Sequence, residues 1–396
     1  MRKKHFSLLL TLGILAGLLG GCENDYPPSI WQPEYKGRPD PVVTAVEPPD
    51  GSFAGIGHVK LIGKNFSPVK EENHVYFNGT EATVLSASET ELVVLAPNLP
   101  ADSIRIKVRV VGALLFGEYY PYRLESAVVE YGDFTDYDDA YGIACDKDEN
   151  LYVSLAGKKI IKVAPDGTQE RYGTTLMDKA SNMKMGPDGY LYYVNILSYV
   201  FRVSPQGTDE LFASLPGGAF DLDFDSLGNI YCGGSGGALY RVKPDKSVES
   251  VADYSNIYIR SVRVFNGYVY VGGKDNSTGG QAVWRNKLST EGQLGERELY
   301  FDWSSNMGAG SEVLSITFSE DGDLYVGTNA PESIVVVHPD RTFEPLYPGV
   351  LEPETYAMSW GNDVYLYVNR RSDDPSKKRI LRINMQKKGA PYYGRE

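Results

Sequence analysis

The chain has 396 residues and a formal net charge of -13, which disfavours nonspecific association with nucleic acid or anionic lipid. Its three cysteines exclude a scaffold built on disulfides. The 29 tyrosines, 42 glycines and 23 prolines favour strands joined by tight turns over helices.

The N-terminus reads as an address. Met1-Arg2-Lys3-Lys4-His5 is basic, and Phe6 to Leu19 is apolar but too short to span a bilayer stably. The stretch ends Leu19-Gly20-Gly21-Cys22, small residues directly before a cysteine. This resembles a bacterial lipobox. The resemblance implies that residues 1–21 are a signal peptide and that Cys22 is lipidated and becomes the mature N-terminus. The alternative is an ordinary signal peptide with a chance cysteine. The acidic Glu23-Asn24-Asp25 is similar to the export signal that carries Bacteroidota-type lipoproteins to the outer face of the outer membrane. Residues 22–40 are proline-rich and polar, as expected of an extended tether.

Residues 41–125 read as a small β-sandwich. His58-Val59-Lys60-Leu61-Ile62-Gly63-Lys64 alternates with period two, which buries one face. Val75-Tyr76-Phe77-Asn78-Gly79-Thr80 is a strand entering an Asn-Gly hairpin. Further short strands follow at Glu91-Leu92-Val93-Val94-Leu95 and Ile104-Arg105-Ile106-Lys107-Val108. The phrases Ile62-Gly63-Lys64-Asn65-Phe66, Val75 to Ala82 and Leu92-Val93-Val94-Leu95-Ala96-Pro97 closely resemble the IPT/TIG family of immunoglobulin-like sandwiches. That resemblance implies a fold and a spacer or interaction role, not an activity.

Residues 127–396 repeat one phrase, a polar turn running into an aromatic-bearing strand. It is fullest at Ser319-Glu320-Asp321-Gly322-Asp323-Leu324-Tyr325-Val326. Its tyrosines Tyr152, Tyr192, Tyr231, Tyr270, Tyr325 and Tyr365 are spaced by 40, 39, 39, 55 and 40 residues. A period near 40 with several short strands per unit predicts a six-bladed β-propeller, so the whole chain is expected to be all-β. The units resemble NHL-type repeats. The fourth is longer, with its excess in 274–281 and 288–297. Val128-Val129-Glu130 is expected to pair with the last blade and close the ring. The final unit is expected to finish with Ile380 to Asn384 and Pro391-Tyr392-Tyr393. Asp148, Asp188 and Asp321 are expected to cap the turns in which they lie. Cys145 and Cys232 lie two blades apart and are expected to be buried, inert thiols.

A propeller works at the mouth of its central channel. That mouth is built from loops between blades and loops between second and third strands. The residues there combine aromatic rings with amide, carboxylate and guanidinium groups, which suits sugars. Ten are candidate contacts: Tyr141, Asn182, Tyr199, Asp221, Tyr258, Arg260, Trp303, Glu312, Tyr356 and Arg370. Trp303 has a competing reading as a hydrophobic plug between blades. Propeller lactonases and related hydrolases hold a cation in the channel. Asn182, Asp221, Asn306 and Glu312 could converge for that purpose, but their spacing does not demand it. Four histidines, none falling naturally at the mouth, weaken a lyase reading. No Gly-x-Ser-x-Gly elbow, P-loop or Cys-x-x-Cys is present.

Taken together, the arrangement resembles surface lipoproteins of Bacteroidota glycan-utilisation systems. The resemblance implies a non-catalytic protein, lipid-anchored in the outer membrane, that binds polysaccharide or oligosaccharide outside the cell. An outer-membrane transporter complex is the partner it suggests. No cofactor, no metal and no nucleic acid is expected. The alternatives are a propeller enzyme (a lactonase-like hydrolase or polysaccharide lyase) and a protein-interaction scaffold.

Overall fold

A computed structural model describes residues 37–395. The candidate signal peptide, Cys22 and nearly all of the tether lie outside the described residues. Among the described residues, no helix is long and apolar enough to cross a membrane.

The sandwich has strand Thr80–Ala87 as its hinge. This strand pairs with Glu91–Leu95 in one sheet and with Asn73–Phe77 in the other. Period-two alternation places Val59, Leu61, Val75, Phe77, Leu92, Val94, Ile104, Ile106 and Val108 in one fully buried core. Each such aliphatic or aromatic side chain contributes about 1.5–3 kcal/mol by leaving water. The predicted hairpin is present: Asn78 and Gly79 have φ of 47° and 92°, with Phe77 paired to Thr80. Two successive positive φ values define the type I′ turn that Asn-Gly accommodates.

The remainder forms six four-stranded sheets. The first two strands of a blade are buried on both faces, as in Ala140–Cys145 and Leu151–Leu155. These strands read as continuous apolar runs because neighbouring blades cover both sides. Fourth strands such as Gln169–Thr174 are polar and largely exposed, since they form the rim. The long fourth unit is a blade with longer strands, Ile257–Phe265 through Leu294–Asp302.

The recurring tyrosine has a structural explanation. The Tyr152 hydroxyl donates to Asp146, that of Tyr192 to Asp188, and that of Tyr231 to Asp225. The same carboxylates accept turn amides, those of Asp148 and Asn150 at Asp146 and those of Leu227 and Asn229 at Asp225. One Asp therefore fixes both the turn and the ring of the strand that follows. In the first blade this is Asp146, not Asp148 as expected. Asp146 is two residues earlier, at the position from which a carboxylate can reach its own turn amides. Asp321 accepts from Ser319 and Lys387 side chains instead. Cys145 and Cys232 are buried free thiols.

Ring closure follows the expectation in one respect and departs from it in another. Val128–Glu130 pairs antiparallel with Arg379–Asn384, so the start of the propeller supplies the last blade's fourth strand. Only Ala127 separates it from the sandwich strand Gly117–Ser126, and the Ala127 carbonyl accepts from the Asn384 amide. Pro391–Tyr393 is not a blade strand. The rim position is already filled by Val128–Glu130, so the C-terminal segment turns under the ring and enters the channel. It is held there by polar contacts. Arg263 donates to the carbonyls of Ala390 and Pro391, the Tyr392 hydroxyl meets Thr317 Oγ1 at 2.9 Å, and Arg395 donates to the Trp360 carbonyl at 2.6 Å. Position 389 must be glycine, because a Cβ there would lie 2.1 Å from the Trp360 ring.

Candidate functional site

The C-terminal segment occupies the channel from the face that carries the Asp turns. The opposite face is the mouth, where inner strands begin. Strand Ala140–Cys145 brings Tyr141 there, Ile257–Phe265 brings Tyr258 and Arg260, and Thr355–Trp360 brings Tyr356. Phe220 directly precedes strand Asp221–Phe224, and Arg371 follows Tyr365–Arg370.

Three of these side chains sit at interruptions of the strand ladder. Ile259 pairs with Gly273 and Ser261 with Gly272, so Arg260 is the extra, unpaired residue of a β-bulge. Tyr356 is likewise extra between Thr355 and Ala357. Tyr141 lies in the irregular step between Ala140 and Ile143. A bulge re-aims the side chain it carries. Arg260 and Tyr356 are thereby half-buried at the mouth, whereas Tyr141 remains buried beneath Lys179 and Arg371.

The outcome is one contiguous cluster. Tyr356 meets Tyr141 edge-on at 6.1 Å between centroids, and meets Phe220 at 6.2 Å. Phe220 also meets Tyr258 at 6.2 Å. Phe220 and Tyr356 come from the third and sixth blades, which face each other across a six-bladed ring. Their rings therefore cross the mouth and roof the channel. Cations stack on this roof: Arg260 lies 4.1 Å from the Phe220 centroid and 5.6 Å from that of Tyr356. Arg371 lies 3.9 Å and 5.1 Å from the Tyr141 and Tyr356 centroids, and Lys179 lies 3.9 Å from that of Tyr141. Arg371 is fixed by Asp139 at 2.9 Å, and the Lys179 ammonium donates to the Tyr141 hydroxyl at 2.6 Å. Burial works to raise the Asp139 pKa. Hydrogen bonding from Tyr141 and the charges of Arg371 and Lys378 outweigh it and hold the pKa below the usual value.

Glu354 lies beside the cluster. Burial raises its pKa above the usual carboxylate range, and repulsion from Asp373 and Glu312 adds to this against the pull of Arg371 and Arg260. A carboxyl whose folded pKa is raised keeps its proton longer in the folded state. Its ionisation costs stability as pH rises from the unfolded value through the folded one, and costs nothing below both. Glu354→Gln should therefore raise Tm near pH 7 and leave it unchanged near pH 3.5, read by scanning calorimetry across roughly that range.

Four of the ten candidates, Tyr141, Tyr258, Arg260 and Tyr356, are thus brought together. Glu312 is exposed at the same face, with its amide on Asn329 Oδ1. The others are placed elsewhere or engaged. Asn182 is buried, and its Oδ1 accepts from the Met183 amide. Asp221 is 1% exposed and staples two blades together, accepting from Ser261 Oγ and the Val262 amide at 2.7 Å each. Tyr199 is exposed on a third strand beside Phe201, away from the pore. Arg370 faces the sandwich instead. It donates to the Lys377 carbonyl and lines a cavity of about 260 Å³ with Ala54, Asn98 and Val350. Trp303 is fully buried with its Nε1 on Ser311, so the plug reading is the one realised. Phe220, Lys179 and Arg371 are not among the ten candidates, although they lie in the loops expected to open onto the mouth. Arg371 carries a second signal, its adjacency to Arg370 in a basic pair that suits a uronate or sulfate group, against the alternative of a solvated loop.

Among the described residues, no three of His, Cys, Asp and Glu gather as a metal-holding group. The larger concavities lie away from the mouth. One of about 690 Å³ runs between the first two blades beside Arg395, and one of about 470 Å³ lies between sandwich and propeller. In the first, Asp146 and Asp188 are already spent on their own turns and tyrosines.

Residues 41–123 match the IPT/TIG domain family. The sandwich is therefore an IPT/TIG domain, followed by a six-bladed propeller. No curated protein sequence matches the chain. Among solved structures, an auxiliary nutrient binding protein from Bacteroides ovatus is similar at 14% identity and a TM-score of 0.51, covering 87% of this chain and 97% of that one. Another auxiliary nutrient binding protein, from Bacteroides thetaiotaomicron, is similar at 10% identity and a TM-score of 0.50, with the same coverage. A luciferin-regenerating enzyme is similar at 17% identity and a TM-score of 0.53, covering 67% of this chain and 98% of that one. At these identities the likeness is one of fold.

Proposed function

We propose that this chain is a non-catalytic nutrient-binding protein that captures polysaccharide or oligosaccharide on its propeller mouth. On this reading Cys22 carries a lipid anchor in the outer membrane, the tether and IPT/TIG domain lift the propeller from the surface, and an outer-membrane transporter receives the captured glycan. One observation carries the proposal: rings from opposite blades, Phe220 and Tyr356, meet at 6.2 Å over the channel. Phe220 and Tyr141 are buried beneath Arg260, Arg371 and Lys179. The roof therefore presents the half-buried Tyr258 and Tyr356 together with those cations, a shallow platform rather than a pit that could enclose a reacting bond. Platforms of aromatic and planar polar groups suit sugars, and many weak copies on a cell surface add avidity. The two Bacteroides nutrient binding proteins share the architecture over nearly their whole length, which supports the same reading. An enzymatic reading has one observation in its favour, the raised carboxyl of Glu354 at the mouth.

The test is retardation in native gels containing plant or host polysaccharides. Tyr258→Ala and Tyr356→Ala should each weaken retardation about tenfold, the loss expected for truncating a central contact. Absence of retardation by every polymer of such a screen would overturn the proposal, as would turnover of any of them by the purified protein.

A further inference from the structure

We infer that the mouth selects acidic saccharides, with Arg260 taking the carboxylate of a uronic acid residue. This rests on the glycan-binding reading above and narrows it.

Most arginines of the propeller are already committed. Arg202 pairs with Asp188 and Glu210, Arg241 with Glu249, Arg285 with Glu298, and Arg379 with Glu130 and Asp136. Arg371, Arg260's neighbour at the mouth, pairs with Asp139. Arg260 differs. Among the described residues it has no hydrogen-bond or ion-pair acceptor, only the faces of Phe220 and Tyr356. It is also the unpaired residue of a bulge, so the backbone is shaped to present it. A guanidinium stacked on rings keeps its N–H edge free, and that edge matches a carboxylate bidentately. Glu354, Glu312 and Asp373 act on the same region without ion-pairing Arg260. They are acceptors suited to sugar hydroxyls. The chain as a whole carries a net charge of -13, so a polyanion is repelled except where a local cation is offered.

The test uses polygalacturonate, alginate and hyaluronate in native gels, each beside a carboxyl-reduced or methyl-esterified form of the same backbone. At least one acidic polymer should retard the protein roughly tenfold more strongly than its neutralised form, the worth of a charge-assisted contact. Arg260→Ala should abolish that preference while leaving the fold intact, read as a cooperative thermal transition and an unchanged far-ultraviolet circular dichroism spectrum. Arg260→Lys, which keeps the charge but loses the fork, should retain part of it. Equal binding of acidic and neutralised forms, or a preference that survives in Arg260→Ala, overturns the inference. Retardation by neutral polysaccharides alone overturns it and leaves glycan binding standing. No retardation by any polymer overturns both.

Discussion

Replacing Arg263 by Ala should destabilise the propeller by about 3–5 kcal/mol, the cost of removing one partner from a fully buried ion pair. Arg263 and Asp223 are each 1% exposed and lie 2.7 Å apart. The same guanidinium stacks 3.7 Å from the Tyr392 centroid and donates to two carbonyls of the C-terminal segment. Its loss leaves a carboxylate buried with only the Val264 amide and releases the segment from the channel. Urea unfolding should show the lower midpoint. Limited proteolysis should show cleavage beyond Asn384 that the parent resists. An unchanged midpoint would mean that the pair is not buried as described. Replacing both residues with apolar ones of similar volume should cost much less, because no charge is then stranded.

Trp303→Ala should cost a further roughly 3–5 kcal/mol of stability, by cavity formation against Phe301 and loss of the indole donor to Ser311. Any loss of glycan retardation in this variant would then track unfolding, not contact. Trp303→Phe separates the two. It should restore most of the stability, read by thermal melting, with retardation unchanged. A Trp303→Phe protein that melts normally yet loses retardation would return Trp303 to the binding surface.

The fold was largely legible because its repeat has a local cause. In the first three blades an Asp at the turn accepts from the tyrosine hydroxyl six or four residues on, as with Asp146 and Tyr152 or Asp188 and Tyr192, so the period is plainest there while other positions drift. The mouth was only partly legible. Arg260 and Tyr356 are legible from the loops they open, although the bulges that direct them are set by register against the next strand and leave no mark on local alternation. Trp303 and Asp221 lie in the right loops but turn inward, where packing and inter-blade hydrogen bonds claim them. Pro391-Tyr392-Tyr393 has strand-like composition. Its fate depended on whether Val128–Glu130 had already taken the rim, a contest decided between segments far apart in the chain.

That contest also has a temporal side. Glu130 and Arg379, whose side chains meet at 2.9 Å, are 249 residues apart. As the polypeptide is synthesised, the strand that clasps the ring emerges first among the propeller's parts and stays without its mate until nearly the whole sequence has appeared. Loop closure over such a span is slow. The growing ring therefore passes through a stage with two raw flanks, which neighbouring copies could join in place of each other's missing strand. Ala127, a one-residue link, gives the already folded sandwich a second task during that interval: it holds the waiting strand beside a finished sheet.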